Sequence, residues 1–312
     1  MKKIINNLAV RIIQILVMGI ILVVVTRELC RIFIDMDIQL FYKYSDKLTI
    51  VNIFIIVMLG IISYIPLSFY DLVIRKKVGI ALSTKKVYKY SWIASSVANI
   101  VGFGGSAAIV LKRYFYKDYV EDEKKLIKET SKVVGLNLSG FSLLCLIYSI
   151  YLFTIEKNIS YIDYVAIIIA MYLPIIIITI TYKYIKSRDI CSYITTLKII
   201  SISILEWITT ISLIIGLIYI LNINVSIFDF LPIYVVGIVA AIISMAPSGL
   251  GTFDLVLILG LDKFNVPKEQ VLLLIILYRI SYYIIPLLIG IILYLSDLLS
   301  KLIKNENIRY LK

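Results

Sequence analysis

The chain has 312 residues, of which 61% are hydrophobic and only 17% are charged, and its formal net charge is +12. Soluble domains are about half apolar and about a quarter charged, so this composition excludes an ordinary soluble domain and indicates an integral membrane protein. The sequence contains no histidine, which excludes serine–histidine catalysis and histidine–metal chemistry. Its three cysteines match no zinc or redox spacing. We therefore expect no catalytic residue, no metal and no cofactor.

Long apolar runs predict membrane-spanning helices, because about 20 apolar residues cross the hydrocarbon core as a helix. We place six full spans at about 4–26, 48–70, 133–155, 161–184, 195–221 and 270–297. Two shorter hairpins lie at about 88–111 and 230–261. The pattern predicts an all-α polytopic membrane protein with a single transmembrane domain over residues 1–312. Its pseudo-halves cover about 1–132 and 133–312.

The charges of the loops predict the orientation of the chain. The Lys-rich and Arg-rich segments are 1–11, 71–90, 112–132, 183–198 and 298–312. Such an excess on one side is the positive-inside pattern, so the net charge needs no nucleic acid to explain it. All these segments face the cytoplasm if hairpin 88–111 is re-entrant from inside and hairpin 230–261 from outside; other numbers of spans can align the same loop charges. We therefore predict a multi-pass protein of the cytoplasmic membrane with both termini in the cytoplasm.

Polar residues, glycine and proline interrupt both hairpins. We assign the following residues of the two breaks to a candidate site: Asn99, Gly102, Gly104 and Gly105 in the first, and Pro247, Gly249 and Gly251 in the second. In lipid, non-helical backbone is tolerated only where protein or a water-filled cavity satisfies its polar groups. Paired interrupted segments in the two halves of a membrane protein indicate a transport site near the midplane. Packing between helices is the alternative for the first glycines.

Three charged residues lie inside apolar segments, where charges are costly and either pair or mark a functional route. Asp254 lies in the first turn of a helix that begins near Thr252, whose positive end would face a lipid phosphate. Its carboxylate either caps this helix or faces a cationic head group. Glu206 and Arg279 either form ion pairs, with each other or with Asp254, or belong to the site. Arg279 shares a helical face with Tyr282.

Asp71 and Arg75 are four residues apart at a predicted membrane interface. We include both in the candidate site, and a modest surface ion pair between them is the alternative. Basic loops also attract anionic lipid, by about 1 kcal/mol for each Lys or Arg near the surface. Orientation explains most of the lysines here, so lipid recognition is the weaker interpretation for any single one.

Several of these stretches resemble the membrane flippase region of a bacterial family, the lysylphosphatidylglycerol flippase/synthase family or multiple peptide resistance factor. The matching stretches are 70–74, 99–105, 116–119, 206–207, 247–256, 266–274 and 278–279. They follow one another over nearly the whole chain. The resemblance implies export of aminoacylated phosphatidylglycerol to the outer leaflet, which repels cationic antimicrobial peptides. It also implies that Asp71, Glu206, Asp254 and Arg279 belong to the functional set.

The chain differs from the family pattern in two respects. Ser248 stands where the family often has a glycine. Members with transferase activity carry a soluble C-terminal domain, and no such domain is expected within residues 1–312. We therefore expect a lipid translocator without its own synthase. The alternatives are, second, a membrane accessory or anchor subunit for a separately encoded phosphatidylglycerol lysyltransferase and, third, an enzyme in its own right. The expected partner is a phospholipid, and a separate synthase and a homo-oligomer remain open.

Overall fold

A computed structural model of the chain describes residues 27, 34, 37–102, 105–154, 161–244 and 246–309. These residues form helices and turns and no strand, which confirms the all-α class. The α-helices that it describes are α1 Ile38–Ser45, α2 Ile50–Val78, α3 Thr84–Val101, α4 Ser106–Tyr116, α5 Glu123–Leu136, α6 Leu138–Thr154, α7 Tyr161–Ala170, α8 Tyr172–Ser187, α9 Ile190–Ile220, α10 Ile227–Ser244, α11 Thr252–Asp262, α12 Lys268–Arg279 and α13 Ile285–Arg309. A π-helical segment, Ile280–Ile284, joins α12 to α13.

Within the described ranges, six segments are long and apolar enough to cross a membrane. They are Ile50–Val78, Glu123–Thr154, Asp163–Ser187, Ile190–Ile220, Ile227–Ser244 and Lys268–Ser300. Five of them coincide with predicted spans, and the sixth is α10, the first arm of the predicted hairpin 230–261. The predicted span 4–26 lies outside the described residues. The chain is therefore a multi-pass membrane protein.

Capping residues fix several helix boundaries. The Thr49 hydroxyl accepts a hydrogen bond from the Asn52 N–H (3.2 Å) at the start of α2, and the Asp189 carboxylate accepts one from the Ser192 N–H (3.0 Å) at the start of α9. Such side chains satisfy N–H groups that have no partner within the helix. Gly79 ends α2 in the left-handed conformation that glycine adopts without strain. These turns place the helix termini at two opposite ends of the bundle.

One end of the bundle, the basic end, collects the lysine-rich helix termini. It comprises the termini that lie within residues 75–89, 112–132, 183–198 and 297–300. Lys77 of α2 pairs with Glu129 of α5 (3.0 Å), and Lys89 of α3 pairs with Asp297 of α13 (3.5 Å). The lysine-rich segments that the structure describes thus lie together, as the loop charges predicted.

At the opposite end, hydrogen bonds join the helix termini, and the acidic and basic side chains are nearly equal in number. The backbone N–H of Asp37 donates to the Glu269 carboxylate (3.2 Å), which joins the start of α1 to the start of α12. The side chain of Gln270 donates to the carbonyl of Leu221 after α9 (2.6 Å). This end therefore contains the turns that follow α9 and α11.

Two helical hairpins enter the bundle from opposite ends. In the first, the Tyr116 hydroxyl near the end of α4 donates to the Val87 carbonyl near the start of α3 (3.1 Å), so both outer termini lie at the basic end. In the second, Gly260 near the end of α11 packs against Ile233 near the start of α10. Its arms therefore run antiparallel from the opposite end. The predicted pair of opposed hairpins is confirmed.

The tips of the two hairpins meet inside the bundle. The Ser248 hydroxyl in the second break lies within hydrogen-bond distance of the carbonyl oxygens of Asn99 (3.2 Å) and Ile100 (3.1 Å) in the first. Gly102 has a positive φ of 75°, and a Cβ at this position would lie 3.2 Å from the Pro247 Cα. The backbones therefore approach closely enough that a side chain at residue 102 would be crowded.

Glycines also allow backbone-level contact between spanning helices. Gly60 of α2 packs directly against the carbonyl of Ser281 in the π-helical segment, and Gly140 of α6 packs against the carbonyl of Ser203 in α9. In membranes, small residues let helices approach closely, which replaces part of the missing hydrophobic driving force. These contacts hold α2 and α9 beside the hairpin tips.

The orientation of the bundle can be tested with single cysteines. In a chain with Cys30, Cys145 and Cys191 replaced by serine, Lys124→Cys at the basic end should resist an impermeant thiol reagent in intact cells. Lys263→Cys at the opposite end should react rapidly, because the positive-inside rule places the basic end in the cytoplasm. Permeabilised cells provide the control, since both cysteines should then react. Rapid labelling at residue 124 in intact cells would reverse the orientation.

The close contact at Gly60 predicts a specific loss of stability. Gly60→Ala should lower the free energy of unfolding by about 1–3 kcal/mol, the usual cost of overpacking. Gly135→Ala is the matched control, because a Cβ there meets no atom within 4 Å and alanine favours the helix. The thermal midpoint in detergent measures both variants. Equal midpoints would show that α2 does not rely on this contact.

Candidate functional site

Three carboxylates of the candidate residues are buried inside the bundle. They belong to Asp71 in α2, Glu206 in α9 and Asp254 in α11, with exposed fractions of 0%, 6% and 6%. A carboxylate out of water is very costly unless it is paired or protonated. The partners of each carboxylate therefore decide what it can do chemically, and these partners differ.

Arg279 neutralises Asp254. Its Nη2 and Nε atoms lie 2.7 and 3.2 Å from the same carboxylate oxygen, Oδ1. The other oxygen, Oδ2, accepts the N–H of Gly251 (2.9 Å) at the start of α11. Asp254 therefore caps its own helix, and Arg279 pairs with Asp254 and not with Glu206.

Arg279 also holds the backbone of the second break. Its Nη1 donates to the carbonyl oxygen of Ser248 (2.9 Å), and its guanidinium carbon lies 5.2 Å from the ring centroid of Tyr283. Ser248 has a φ of 55°, a left-handed conformation that costs a residue with a side chain roughly 1–2 kcal/mol. The hydrogen bonds from Arg279 and to Asn99 and Ile100 offset this strain.

Glu206 is buried with neutral partners only. The Tyr70 hydroxyl and the Asn137 amide both donate to its Oε2 atom, each at 2.6 Å. In the described part of the chain, no lysine or arginine lies within 4 Å of this carboxylate. The carbonyl of Asn137 accepts hydrogen bonds from Ser203 (2.6 Å) and Trp207 (2.8 Å), which fixes Asn137 against α9. Glu206 thus has fixed donors but no cation in contact with it; Lys112, which interacts with it electrostatically, is paired with Asp71.

Asp71 belongs to a buried triad with Lys112 and Tyr116 of α4. The Lys112 ammonium lies 2.6 Å from Oδ1 of Asp71, and the Tyr116 hydroxyl donates to Oδ2 (2.9 Å). The alternative considered from the sequence, an ion pair between Asp71 and Arg75, is therefore wrong. Arg75 instead donates to the Thr84 hydroxyl (2.7 Å) near the start of α3.

Sequence reasoning missed Lys112, Tyr70 and Asn137. Lys112 follows the predicted end of the hairpin at residue 111, so its charge counted as part of a loop. The apolar run 107–111 just before it could have indicated that the helix continues to Tyr116. In such a helix, Lys112 lies beside α2 and not in a loop. The other two are uncharged, and nothing in the spacing of Tyr70 or Asn137 indicates that they face Glu206.

A series of aromatic rings connects the clusters of Glu206 and Arg279. Ring centroids of Tyr64 and Tyr282 are 6.1 Å apart, and the Tyr282 ring stacks on Tyr278 at 5.6 Å. Glu206 lies close enough to Tyr64, Tyr234 and Tyr282 to interact electrostatically with their hydroxyls. The hydroxyls of Tyr64 and Tyr234 are fully buried and have no hydrogen-bond partner among the described residues. Unsatisfied buried hydroxyls are uncommon and call for an explanation.

The structure brings together most of the residues that the sequence singled out. Those at or beside the junction of the tips are Asn99, Gly102, Pro247, Gly249, Gly251, Asp254, Arg279 and Tyr282. Gly105 faces Val134 of α5 instead, and Gly104 lies outside the described residues. Asp71 and Arg75 lie nearer the basic end. Among the residues that the structure describes, no group of three potential metal ligands occurs.

Residues 138–290 match a family model described as the lysylphosphatidylglycerol synthase transmembrane region. Over 234 residues, the chain is 32% identical to a phosphatidylglycerol lysyltransferase of Staphylococcus aureus (strain MRSA252), which covers 74% of this chain. Over 269 residues, it is 30% identical to a phosphatidylglycerol lysyltransferase of Staphylococcus haemolyticus (strain JCSC1435), which covers 85% of this chain. The matches cover 28% and 31% of these two relatives. The chain thus spans less than a third of their length.

The buried pair at Asp71 predicts an asymmetric response to substitution. Lys112→Met should destabilise the protein by about 3–5 kcal/mol, because it leaves Asp71 buried without a counter-charge. Adding Asp71→Asn should recover part of this loss. Arg113→Met is the neighbouring control: its ion pair with Glu123 is exposed and contributes little. Thermal midpoints in detergent measure all three, and equal effects at residues 112 and 113 would contradict the buried-pair account.

Proposed function

The chain belongs to the lysylphosphatidylglycerol synthase transmembrane-region family, and on this premise we propose that it moves an aminoacylated phosphatidylglycerol of the lysyl type from the inner to the outer leaflet. The basic end then faces the cytoplasm of a bacterium. A lysyl head group in the outer leaflet lowers its negative surface charge, so the activity contributes to resistance against cationic antimicrobial peptides. The family relation itself supports a role in this lipid pathway.

The observation that carries the proposal is the meeting of two broken hairpins from opposite ends. A lipid head group cannot cross hydrocarbon unless polar protein groups replace its water, because an unpaired charge there is prohibitive. Interrupted segments supply backbone donors and acceptors at a depth where continuous helices offer none. The tips at Gly102 and Ser248 bring the interrupted segments of both hairpins together inside the bundle.

Such a head group has a positively charged amine and a negatively charged phosphate, and the charged groups beside the tips suit both. Asp254 is already paired with Arg279, so the carboxylate left for a lipid ammonium is Glu206, which has only the neutral donors Tyr70 and Asn137. The positive N-terminus of α11 favours a phosphate, but Asp254 caps it and also engages Arg279, so a phosphate would share both with Asp254. The unpartnered hydroxyls of the aromatic series, those of Tyr64 and Tyr234, supply further polar contacts.

A second candidate function rests on the share of the relatives that the chain covers. Because the chain spans 28% to 31% of two proteins named phosphatidylglycerol lysyltransferase, it corresponds to one part of a longer protein. In this alternative, it anchors or feeds a separately encoded synthase and moves no lipid itself. Purified protein in liposomes separates the two. Transfer of labelled lysylphosphatidylglycerol between leaflets supports translocation, and its absence supports the accessory role.

Glu206→Gln is the sharpest test of the proposed site. In cells that also express a synthase, the variant should reduce the aminoacyl lipid accessible to an impermeant amine reagent to the level of cells without the protein. The glutamine keeps the size and hydrogen bonding of the side chain but cannot balance an ammonium group. Total aminoacyl lipid should stay unchanged.

Asp163→Asn provides a matched control, because Asp163 is also a buried carboxylate that accepts a hydrogen bond from a tyrosine hydroxyl, that of Tyr148 (2.7 Å). It lies in α7, outside the hairpin tips. This variant should display the lipid at the wild-type level. Normal display by Glu206→Gln at a normal protein level would remove Glu206 from the site.

A further inference from the structure

At the basic end, α5, α8 and α9 line an open cavity of about 290 Å³. The C-terminal turns of α8, the first turns of α9 and Lys132 of α5 line it. Its volume is near the lower limit of ligand pockets, about 300 Å³, which suits one head group and not a whole lipid. The rings of Tyr184 and Tyr193 stack at 4.8 Å along one wall.

The cavity carries a local excess of positive charge. Lys132, Lys183 and Lys186 line it, and in the described part of the chain none of them forms an ion pair. The carboxylate of Asp189, which also lines it, accepts the Ser192 N–H (3.0 Å) as the cap of α9. This hydrogen bond engages one of the two carboxylate oxygens of Asp189. Among the residues that line the cavity, one is acidic and three are lysines.

Lys132 is the only one of these three lysines that is partly buried. Its side chain is half-buried, and its Nζ atom donates to the Thr196 hydroxyl (2.6 Å), a neutral partner. Partly burying an ammonium group is unfavourable without an opposite charge. Glu129 of the same helix and Asp189 both interact with Lys132 electrostatically, and Glu129 is also paired with Lys77 (3.0 Å). The hydroxyl of Ser192 lies 3.5 Å from the same Lys77 ammonium and adds a donor at the edge.

The surface around the cavity indicates where the anion comes from. Large apolar side chains of α8 and α9 flank the opening and are exposed, among them Ile185 (61%), Ile190 (56%) and Ile194 (43%). On a membrane-spanning helix such side chains face acyl chains. We propose that this cavity binds the head group of an anionic phospholipid such as unmodified phosphatidylglycerol, with the phosphate at Lys132 and Lys183 and the acyl chains along α8 and α9. Basic pockets between helices near a membrane surface bind such head groups.

The proposed lipid site is separate from the proposed translocation site in position and in charge. The proposed translocation site includes the buried carboxylate of Glu206, whereas three lysines and one aspartate line this cavity. Binding of an anionic lipid in this cavity therefore does not depend on translocation at the hairpin tips. It assigns an anionic lipid to the protein whether or not the chain moves an aminoacylated one.

Lipid-dependent thermal stability of the purified full chain in detergent tests the proposal. Phosphatidylglycerol should raise the thermal midpoint in a saturable manner, and phosphatidylcholine with the same acyl chains should not. Lys132→Gln combined with Lys183→Gln should weaken the apparent affinity roughly thirtyfold, the factor that two lysines contribute near an anionic lipid. Lys124→Gln combined with Lys128→Gln removes the same charge from the exposed face of α5 and should leave the affinity unchanged.

Three outcomes would overturn the proposal. If both double variants lose affinity equally, the lipid responds to overall charge and not to the cavity. If the cavity variant binds like the wild type, the lipid lies elsewhere. If inorganic phosphate at matched concentration produces the same stabilisation, the ligand is free phosphate and not a lipid. Glu206→Gln should retain the phosphatidylglycerol response, so a failure of translocation and a failure of this site are distinguishable.

Discussion

The structure depends on the ion pair between Arg279 and Asp254 at the junction of the hairpin tips. Broken backbone in lipid has no water to satisfy it, so each tip needs partners from elsewhere in the chain. Arg279 supplies donors to the carbonyl of Ser248 and can be buried only because Asp254 balances its charge. Asp254 in turn caps α11, and Ser248 contacts the first hairpin. One ion pair thereby fixes where both hairpins end.

The architecture was predictable from the sequence because its determinants are local. Apolar runs, Gly/Pro breaks and loop lysines predicted the helical spans, the two opposed hairpins and the breaks that meet at Gly102 and Ser248. Ser248 adopts the left-handed conformation that glycine adopts without strain, which agrees with the glycine that the family often has at this position. The strain is tolerable because the serine hydroxyl contacts the carbonyls of Asn99 and Ile100, contacts that a glycine cannot make.

The side-chain partners were not predictable, because they join residues far apart in sequence. Asp71 pairs with Lys112, 41 positions away, and not with the residue one helical turn along. The donors to Glu206 are 136 and 69 positions away, and both are neutral. Charge periodicity cannot reveal such partners. The cavity around Lys132 was missed for another reason. Its lysines also satisfy the positive-inside pattern, so their presence in the sequence does not show whether they set the orientation or bind a ligand.

The two proposed lipid sites would together distinguish lipids that differ by a lysyl group, which carries two amino groups. Unmodified phosphatidylglycerol is anionic and suits the unpaired lysines at the basic end, but beside Glu206 it would add a second negative charge to a buried site. In the proposed function, an ammonium group of the lysyl lipid would neutralise Glu206. Arg279 cannot serve this purpose, since Asp254 already engages it. In this proposal, selectivity would rest on Glu206, a buried carboxylate with no cation in contact with it, which is costly until an ammonium group pairs with it.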